Sequence, residues 1–162
     1  MFRDMRRKKQ LLPQEEALAV LERGTNGVLA LSGDGGYPYA VPISYAYRDG
    51  RLYFHCAKTG HKLDAIARSD KASFCVVDQD QIVPEEFTTY FRSVIAFGRI
   101  RVLETEEERR RAAEALCAKY APGLDSAGEI RKSLPAMGAL ELTIEHLTGK
   151  EAIELHRQRG QG

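Results

Sequence analysis

Two segments of alternating apolar and polar residues, joined by an Asp-Gly pair, constrain the fold of this chain most strongly. They span residues 37–47 and 51–56 and flank Asp49-Gly50. An Asp-Gly pair between alternating segments is among the strongest short-range signals for a β-hairpin, because both residues tolerate the positive φ of a tight turn. The same period of two predicts further strands at residues 28–31, 72–77, 90–103 and 139–144.

Four segments with helical start and stop signals accompany these strands. Pro13 suits a first helical turn, and Thr105 with Glu108 has the spacing of a capping box. The helices are predicted at residues 13–23, 105–120 and 126–134, and residues 58–68 are predicted to form a loop followed by a short helix. Adjacent antiparallel strands with segregated helices indicate an α+β domain, in which six strands suit a small closed or split barrel.

The composition fits a single domain of ordinary charge. The chain has 162 residues, and 24 Lys and Arg nearly balance 23 Asp and Glu, which argues against a dedicated DNA-binding protein. There is no apolar run of 18 residues and no signal-peptide pattern, and three cysteines without a C-x-x-C spacing fit buried thiols. We therefore expect a cytoplasmic protein with no nucleic-acid and no membrane partner. It would comprise a basic N-terminal arm (1–12), a domain (13–150) and a polar C-terminal tail (151–162).

The segment at residues 37–47 has one bulky face and one small face. Tyr39, Val41 and Ile43 alternate with small residues and with two prolines, Pro38 and Pro42. Small side chains allow a flat aromatic ligand to approach the backbone closely. Because proline lacks a ladder donor, the same pattern also fits an edge strand with no ligand, and both interpretations remain open.

A cationic loop at residues 57–62 joins a predicted strand to a predicted helix. Lys58, His61 and Lys62 supply charge, Gly60 permits a tight turn, and Thr59 could cap the helix or donate to a phosphate oxygen. Unpaired N–H groups at a helix start attract anions. The loop is thus a candidate phosphate cradle, and the alternative is a solvated loop with two surface lysines.

His55 lies on the opposite strand face from Leu52 and Phe54, three residues before Lys58. An imidazole titrates near neutrality and could act on a ligand held by the loop, or it could be a hydrogen-bonded structural residue. With His61 it could ligate a metal. No third ligand has a diagnostic spacing, so no metal is expected.

Four short motifs, taken in order, resemble one known family. They are residues 35–45 (GGYPYAVPISY), 52–62 (LYFHCAKTGHK), 83–90 (VPEEFTTY) and 93–98 (SVIAFG). This series resembles the nitroimidazole-resistance (Nim) branch of the pyridoxamine 5'-phosphate oxidase-like flavoproteins. The resemblance implies an α+β fold dominated by an antiparallel six-stranded split β-barrel with peripheral helices. It also implies a homodimer that binds a flavin, FMN or alternatively FAD, through domain 13–150.

The resemblance further implies which residues hold the flavin. Those expected to line the isoalloxazine are Val41, Pro42 and Ile43. Cys56 and Ala57 would lie at the end of the strand that passes the flavin. The segment expected to bind the flavin phosphate contains Lys58, His61 and Lys62. Ser93 would reach the cofactor from the second subunit, and His55 would stand near the reactive part of the site.

Together these expectations predict a flavin-nucleotide-binding protein, an FMN-dependent oxidoreductase that reduces a small acceptor such as a nitro-aromatic. Residues 39–44 replace the Arg-x-Val-Leu-Leu-Lys run of true pyridoxamine 5'-phosphate oxidases, so vitamin B6 oxidation is not expected. One alternative is a flavin carrier or sensor without efficient turnover. Another is a split-barrel relative that binds haem or a deazaflavin.

Overall fold

The computed structural model describes residues 1–160, which form an α+β fold around one seven-stranded antiparallel sheet. The strands are β1 (Asn26–Ser32), β2 (Pro38–Ser44), β3 (Ala46–Arg48), β4 (Arg51–Cys56), β5 (Lys71–Val83), β6 (Thr88–Val102) and β7 (Gly138–Glu151). The helices are α1 (Gln14–Arg23), α2 (His61–Arg68), α3 (Glu106–Tyr120), α4 (Ala127–Ser133) and α5 (Ile153–Arg159). Short 3-10 turns lie at Lys8–Gln10, Asp34–Gly36 and Pro84–Glu86.

The strand order shows how the sheet closes on itself. The order is β2-β1-β5-β6-β7-β4-β3, so β2 and β3 are the two edge strands. In the sequence only Tyr45 separates them. Consecutive Cα atoms are about 3.8 Å apart, so the two edges must meet at this residue. The sheet is therefore curled into a barrel that is split between β2 and β3.

The prediction of six strands was wrong because the segment at residues 37–47 is two strands, not one. Tyr45 is fully buried at the junction, and its hydroxyl donates to the Leu21 carbonyl at 2.8 Å. Its backbone N–H donates to the Tyr120 hydroxyl of α3 at 3.2 Å, and that hydroxyl lies 2.6 Å from the Tyr45 carbonyl. A period-two pattern does not reveal this break, since the alternation continues on both sides of it.

Strands β1, β5, β6 and β7 are longer than predicted. Residues 78–88, which lie between two predicted strands, continue β5 and β6 as a hairpin that turns at Pro84–Glu86. β7 continues past residue 144 to Glu151. In β5 and β6 the added residues are exposed or half-buried, so polar side chains are tolerated there. The alternation is therefore weaker there than in the barrel core.

Helices α1 and α3 pack on different parts of the barrel. α1 packs its buried face, including Val20 and Leu21, on the barrel interior. α3 begins with the predicted capping box, which is confirmed, since Thr105 accepts from the Glu108 N–H while Glu108 accepts from the Thr105 N–H. Through Ala115 and Leu116 it contacts Ala46 at the start of β3. α3 and α4 thus come to lie beside the end of β4.

The N-terminal segment lies against β7. Leu11 forms a β-bridge with Lys150, and Leu12 is buried against Gly149. Phe2 stacks on His146 at a ring-centroid distance of 4.7 Å. After β7 the chain turns into α5, which packs on the 3-10 turn at Lys8–Gln10.

Candidate functional site

The loop after β4 ends in a helix start with free backbone donors. Gly60 precedes α2 with a φ of +130°, a conformation that glycine adopts readily. The N–H groups of Leu63 and Asp64 donate back to the Gly60 carbonyl. Within residues 1–160 the N–H groups of His61 and Lys62 have no hydrogen-bond partner. This helix start can therefore accept an anion, as the sequence predicts.

The cationic side chains around this helix start differ in what they contact. The Lys58 ammonium donates to the Pro135 carbonyl, just beyond α4. The His61 ring stacks on Tyr39 at a centroid distance of 3.9 Å, with its Nε2 3.7 Å from the Asp34 carboxylate. Lys62 is half-buried and forms no ion pair within the described chain. Lys62 is thus the side chain best placed to meet an added anion.

The Cys56 thiol marks the strand end beside this loop. Burial raises its pKa, while the positive charge of Lys62 acts in the opposite direction. The thiol is therefore protonated at neutral pH and is a packing group here. Ala57 and Thr59 follow it with exposed side chains.

Strand β2 presents the small face that the sequence indicates. Pro38, Ala40 and Pro42 are exposed on the outside of the barrel, while Val41 and Ile43 pack against the core. β2 pairs only with β1, so it is an edge strand. Of the three residues expected at the isoalloxazine, only Pro42 presents its side chain outward; Val41 and Ile43 could contribute backbone atoms at the edge.

His55 lies at the end of β4 and faces a cavity of about 460 Å³. Its side chain is exposed, opposite the buried Leu52 and Phe54, as the strand phase predicts. The cavity is lined from the barrel by His55 and Ser44, and from the helices by Ala113, Leu116, Cys117, Tyr120, Ala121, Glu129, Ile130, Ser133 and Met137. The helical residues carry no local sequence signal for this cavity, because α3 and α4 lie far from His55 along the chain.

Ser93 lies apart from the other candidate residues. It is on the outer face of β6, paired with Val77 and Lys150. In the sheet β7 separates it from β4, and β1 and β5 separate it from β2. Within one chain, the loop at residues 57–62 therefore lies beside β2, and His55 lies at the cavity. Ser93 lies on another part of the barrel.

A continuous part of the outer barrel surface is apolar. Val28, Val77, Ile95 and Phe97 are exposed on β1, β5 and β6, and we call these four residues the outer apolar face. Cross-strand pairing places Cys75 between Val28 and Ile95. Apart from this face, Phe87 is 98% exposed at the hairpin that joins β5 and β6.

Residues 1–160 contain neither a metal-binding cluster nor a membrane-spanning helix. No three His, Cys, Asp or Glu side chains among residues 1–160 are grouped so as to hold a metal ion. No helix in the same residues is long and apolar enough to cross a membrane.

Comparison with known proteins gives one family match. The family described as Pyridoxamine 5'-phosphate oxidase matches residues 13–151. No curated protein matches the chain.

Several solved structures share the fold. A candidate 5-nitroimidazole antibiotic resistance protein from Bacteroides thetaiotaomicron is 18% identical, with a TM-score of 0.75, covering 87% of this chain and 86% of that one. An FAD-binding protein from Mesorhizobium loti is 27% identical, with a TM-score of 0.66, covering 88% and 97%. An FAD and haem binding protein from Mycobacterium smegmatis is 27% identical, with a TM-score of 0.73, covering 89% and 73%.

Proposed function

The chain belongs to the pyridoxamine 5'-phosphate oxidase family, and from this premise we propose that it is a flavin-nucleotide-binding oxidoreductase. The observation that carries the proposal is the helix start of α2, where the free N–H groups of His61 and Lys62 adjoin the half-buried Lys62 side chain. Two similar structures, each 27% identical, are of FAD-binding proteins, which supports a flavin as the ligand.

The residues around the cradle fit a flavin nucleotide. A phosphate would be held by the N–H groups of His61 and Lys62 and by the Lys62 ammonium. The exposed small side chains of Ala40 and Pro42 leave room for a planar ring beside β2. FMN is the simplest ligand for one phosphate cradle, and FAD would add a second phosphate and an adenosine beyond it.

The proposed reaction is the reduction of a small acceptor, for example a nitro-aromatic. A bound flavin supplies the electron chemistry that no side chain can supply. The protein's own contribution is His55, which would orient the acceptor and donate a proton to it from the wall of the cavity. Vitamin B6 oxidation is not proposed, since residues 39–44 lack the two basic residues of the true oxidases.

We further propose that two copies of the chain form the functional unit. A homodimer would cover the outer apolar face, and it would bring Ser93 of one copy towards the flavin site of the other. The proposal rests on the exposed apolar side chains and on the position of Ser93, which one chain leaves apart from its own cradle.

The first experiment is an absorption spectrum of the purified protein with mass spectrometry of the released ligand. Flavin bands and the mass of FMN or FAD are expected. A Soret band without flavin bands would instead favour the haem-binding alternative, and the absence of any chromophore together with no uptake of added FMN or FAD would overturn the proposal.

Lys62→Ala tests the cradle itself. Loss of a charge-assisted hydrogen bond should weaken flavin binding by about 1.5–3 kcal/mol, measured by calorimetric titration with FMN. Lys71→Ala removes an equal charge from an exposed position at the start of β5 and should leave the affinity unchanged. If Lys62→Ala and Lys58→Ala both bind FMN as tightly as the parent, the cradle lies elsewhere.

A further inference from the structure

The cavity beside His55 is distinct from the cradle for the flavin phosphate. Ser44 and His55 line it from the barrel, and the other lining residues belong to α3, α4 and the segment after α4. Residues 56–62 do not line it. Its volume of about 460 Å³ lies in the range of small-molecule binding sites.

The lining determines which charge a ligand can carry. Apolar side chains dominate it, and among residues 1–160 no Lys or Arg contributes to it. An anionic group would lose its hydration here without gaining a permanent cationic partner, which is unfavourable. The cavity therefore disfavours ligands whose phosphate or carboxylate must enter it.

Glu129 gives the cavity a preference for the opposite charge. It supplies the one carboxylate of this lining in the described chain, on the wall formed by α4. Its nearest polar contact is the Ser133 hydroxyl, 3.4 Å from Oε1, which is a weak interaction. That carboxylate remains available to accept a hydrogen bond from a ligand.

We infer that this cavity binds the acceptor, and that the acceptor is a molecule with an apolar body and an amine group rather than an anion. This inference rests on the proposed function, which assigns proton donation to His55 in the same cavity. His55 lies on the barrel wall and Glu129 on the α4 wall. A molecule that spans the cavity would present its amine to Glu129 and its reducible group to His55.

Three probes that share one ring test the charge preference. Calorimetric titrations of the flavin-loaded protein would compare benzylamine, benzyl alcohol and benzoate. Benzylamine should bind most tightly, benzyl alcohol more weakly, and benzoate without measurable heat. Benzoate that binds as tightly as benzylamine, or three probes that all fail to bind, would overturn the inference.

Two variants that each remove one negative charge distinguish a direct contact with Glu129 from the effect of the protein's overall charge. Glu129→Gln should weaken benzylamine binding about fivefold, the effect of a strong exposed ion pair, and should leave benzyl alcohol unaffected. Glu114→Gln, exposed on α3 and outside the lining, should change neither. An unchanged affinity of Glu129→Gln for benzylamine would remove Glu129 from the site.

A third variant fills the cavity. Cys117→Phe should abolish benzylamine binding. Its thermal melting curve shows whether the variant folds, and if it does not fold, the comparison of Glu129→Gln with Glu114→Gln remains the test. Flavin binding is followed separately by absorbance. In the parent protein, flavin binding without benzylamine binding would overturn the cavity inference alone, whereas benzylamine binding without flavin binding would overturn the proposed function.

Discussion

His55 is the residue on which the proposed chemistry depends most directly. Glutamine at this position keeps a hydrogen-bonding side chain but cannot donate a proton as an imidazolium does. His55→Gln should fold and bind flavin like the parent, while acceptor reduction falls about 10²–10⁴-fold, the usual contribution of a general acid. The measurements are steady-state reduction of a nitro-aromatic with NAD(P)H and an absorbance titration with FMN.

The same variant distinguishes a chemical role of His55 from a structural one. Unchanged turnover would exclude His55 as the proton donor. Loss of flavin together with a lower melting temperature would instead mean that the imidazole holds the end of β4, next to Ala139 of β7.

Tyr120 holds the backbone where the barrel is split. Its hydroxyl accepts from the Tyr45 N–H and lies within hydrogen-bond distance of the Tyr45 carbonyl. Tyr120→Phe leaves both backbone groups without this partner and should lower the free energy of unfolding by about 1–3 kcal/mol, measured by urea denaturation. Tyr37→Phe, at a largely exposed ring, should change it by less than about 0.5 kcal/mol. Equal stability of the two variants would show that the Tyr120 hydroxyl does not stabilise the backbone at Tyr45.

Asp78 joins three elements of the fold through two arginines. Its carboxylate accepts two hydrogen bonds from Arg23 of α1 at 2.7 Å and one from Arg92 of β6 at 3.2 Å. The hydrogen bonds from Arg23 are the main cause that lowers the pKa of Asp78 below its ordinary value, against the effect of burial. A carboxyl whose pKa is lowered by folding stabilises the fold above its unfolded pKa. That contribution is lost as the pH falls through the folded value.

Urea unfolding across pH 6 to pH 3 tests this link between α1, β5 and β6. The parent should lose stability below about pH 4, where an unfolded aspartate becomes protonated. Asp78→Asn should be less stable at neutral pH and should lose less on acidification. Asp80→Asn, exposed and without an ion pair in the described chain, serves as the control and should follow the parent. An acid dependence of Asp78→Asn equal to that of the parent would contradict the assignment.

At the scale of elements the sequence predicts local geometry better than strand length. A glycine inside a strand is typical of a bulge or a close backbone approach, and both occur at Gly98 in β6. The register with β7 shifts between Phe97 and Gly98, and a side chain at Gly98 would collide with the Thr143 carbonyl. The break at Tyr45 escaped prediction because its cause is the Tyr120 hydroxyl, which lies 75 residues away.

At the scale of the whole molecule the sequence predicts the parts of the candidate site that are contiguous. The loop at residues 57–62, the small face of β2 and the outward phase of His55 all follow from local patterns. The cavity does not, since α3 and α4 reach His55 through the packing of Ala112, Ala115 and Leu116 on the barrel. The hydrogen bond from Lys58 to the Pro135 carbonyl and the contact of His61 with the Asp34 carboxylate are likewise tertiary contacts, which residue spacing alone does not reveal.

The outer apolar face gives a physical reason for a second copy of the chain. Monomers rarely leave several large apolar side chains exposed together on a sheet, because apolar surface is stabilised by removal from water. Here Val77 is 64% exposed, and Val28, Ile95 and Phe97 are each exposed by more than a third. A copy related by a two-fold axis could cover this face with the same face of its own.

Light scattering at low micromolar concentration should therefore report about twice the chain mass of 18.1 kDa. Val77→Lys places a charge in the outer apolar face and should shift the protein to a monomer with an unchanged circular dichroism spectrum. Leu124→Lys, the same kind of change at an exposed site between α3 and α4, should remain dimeric. Flavin affinity should fall with dimer dissociation, since the proposed site takes Ser93 from the partner copy. A parent protein that is a stable monomer and binds flavin at full affinity would contradict the shared site, because one chain alone keeps Ser93 and the cradle on separate parts of the barrel.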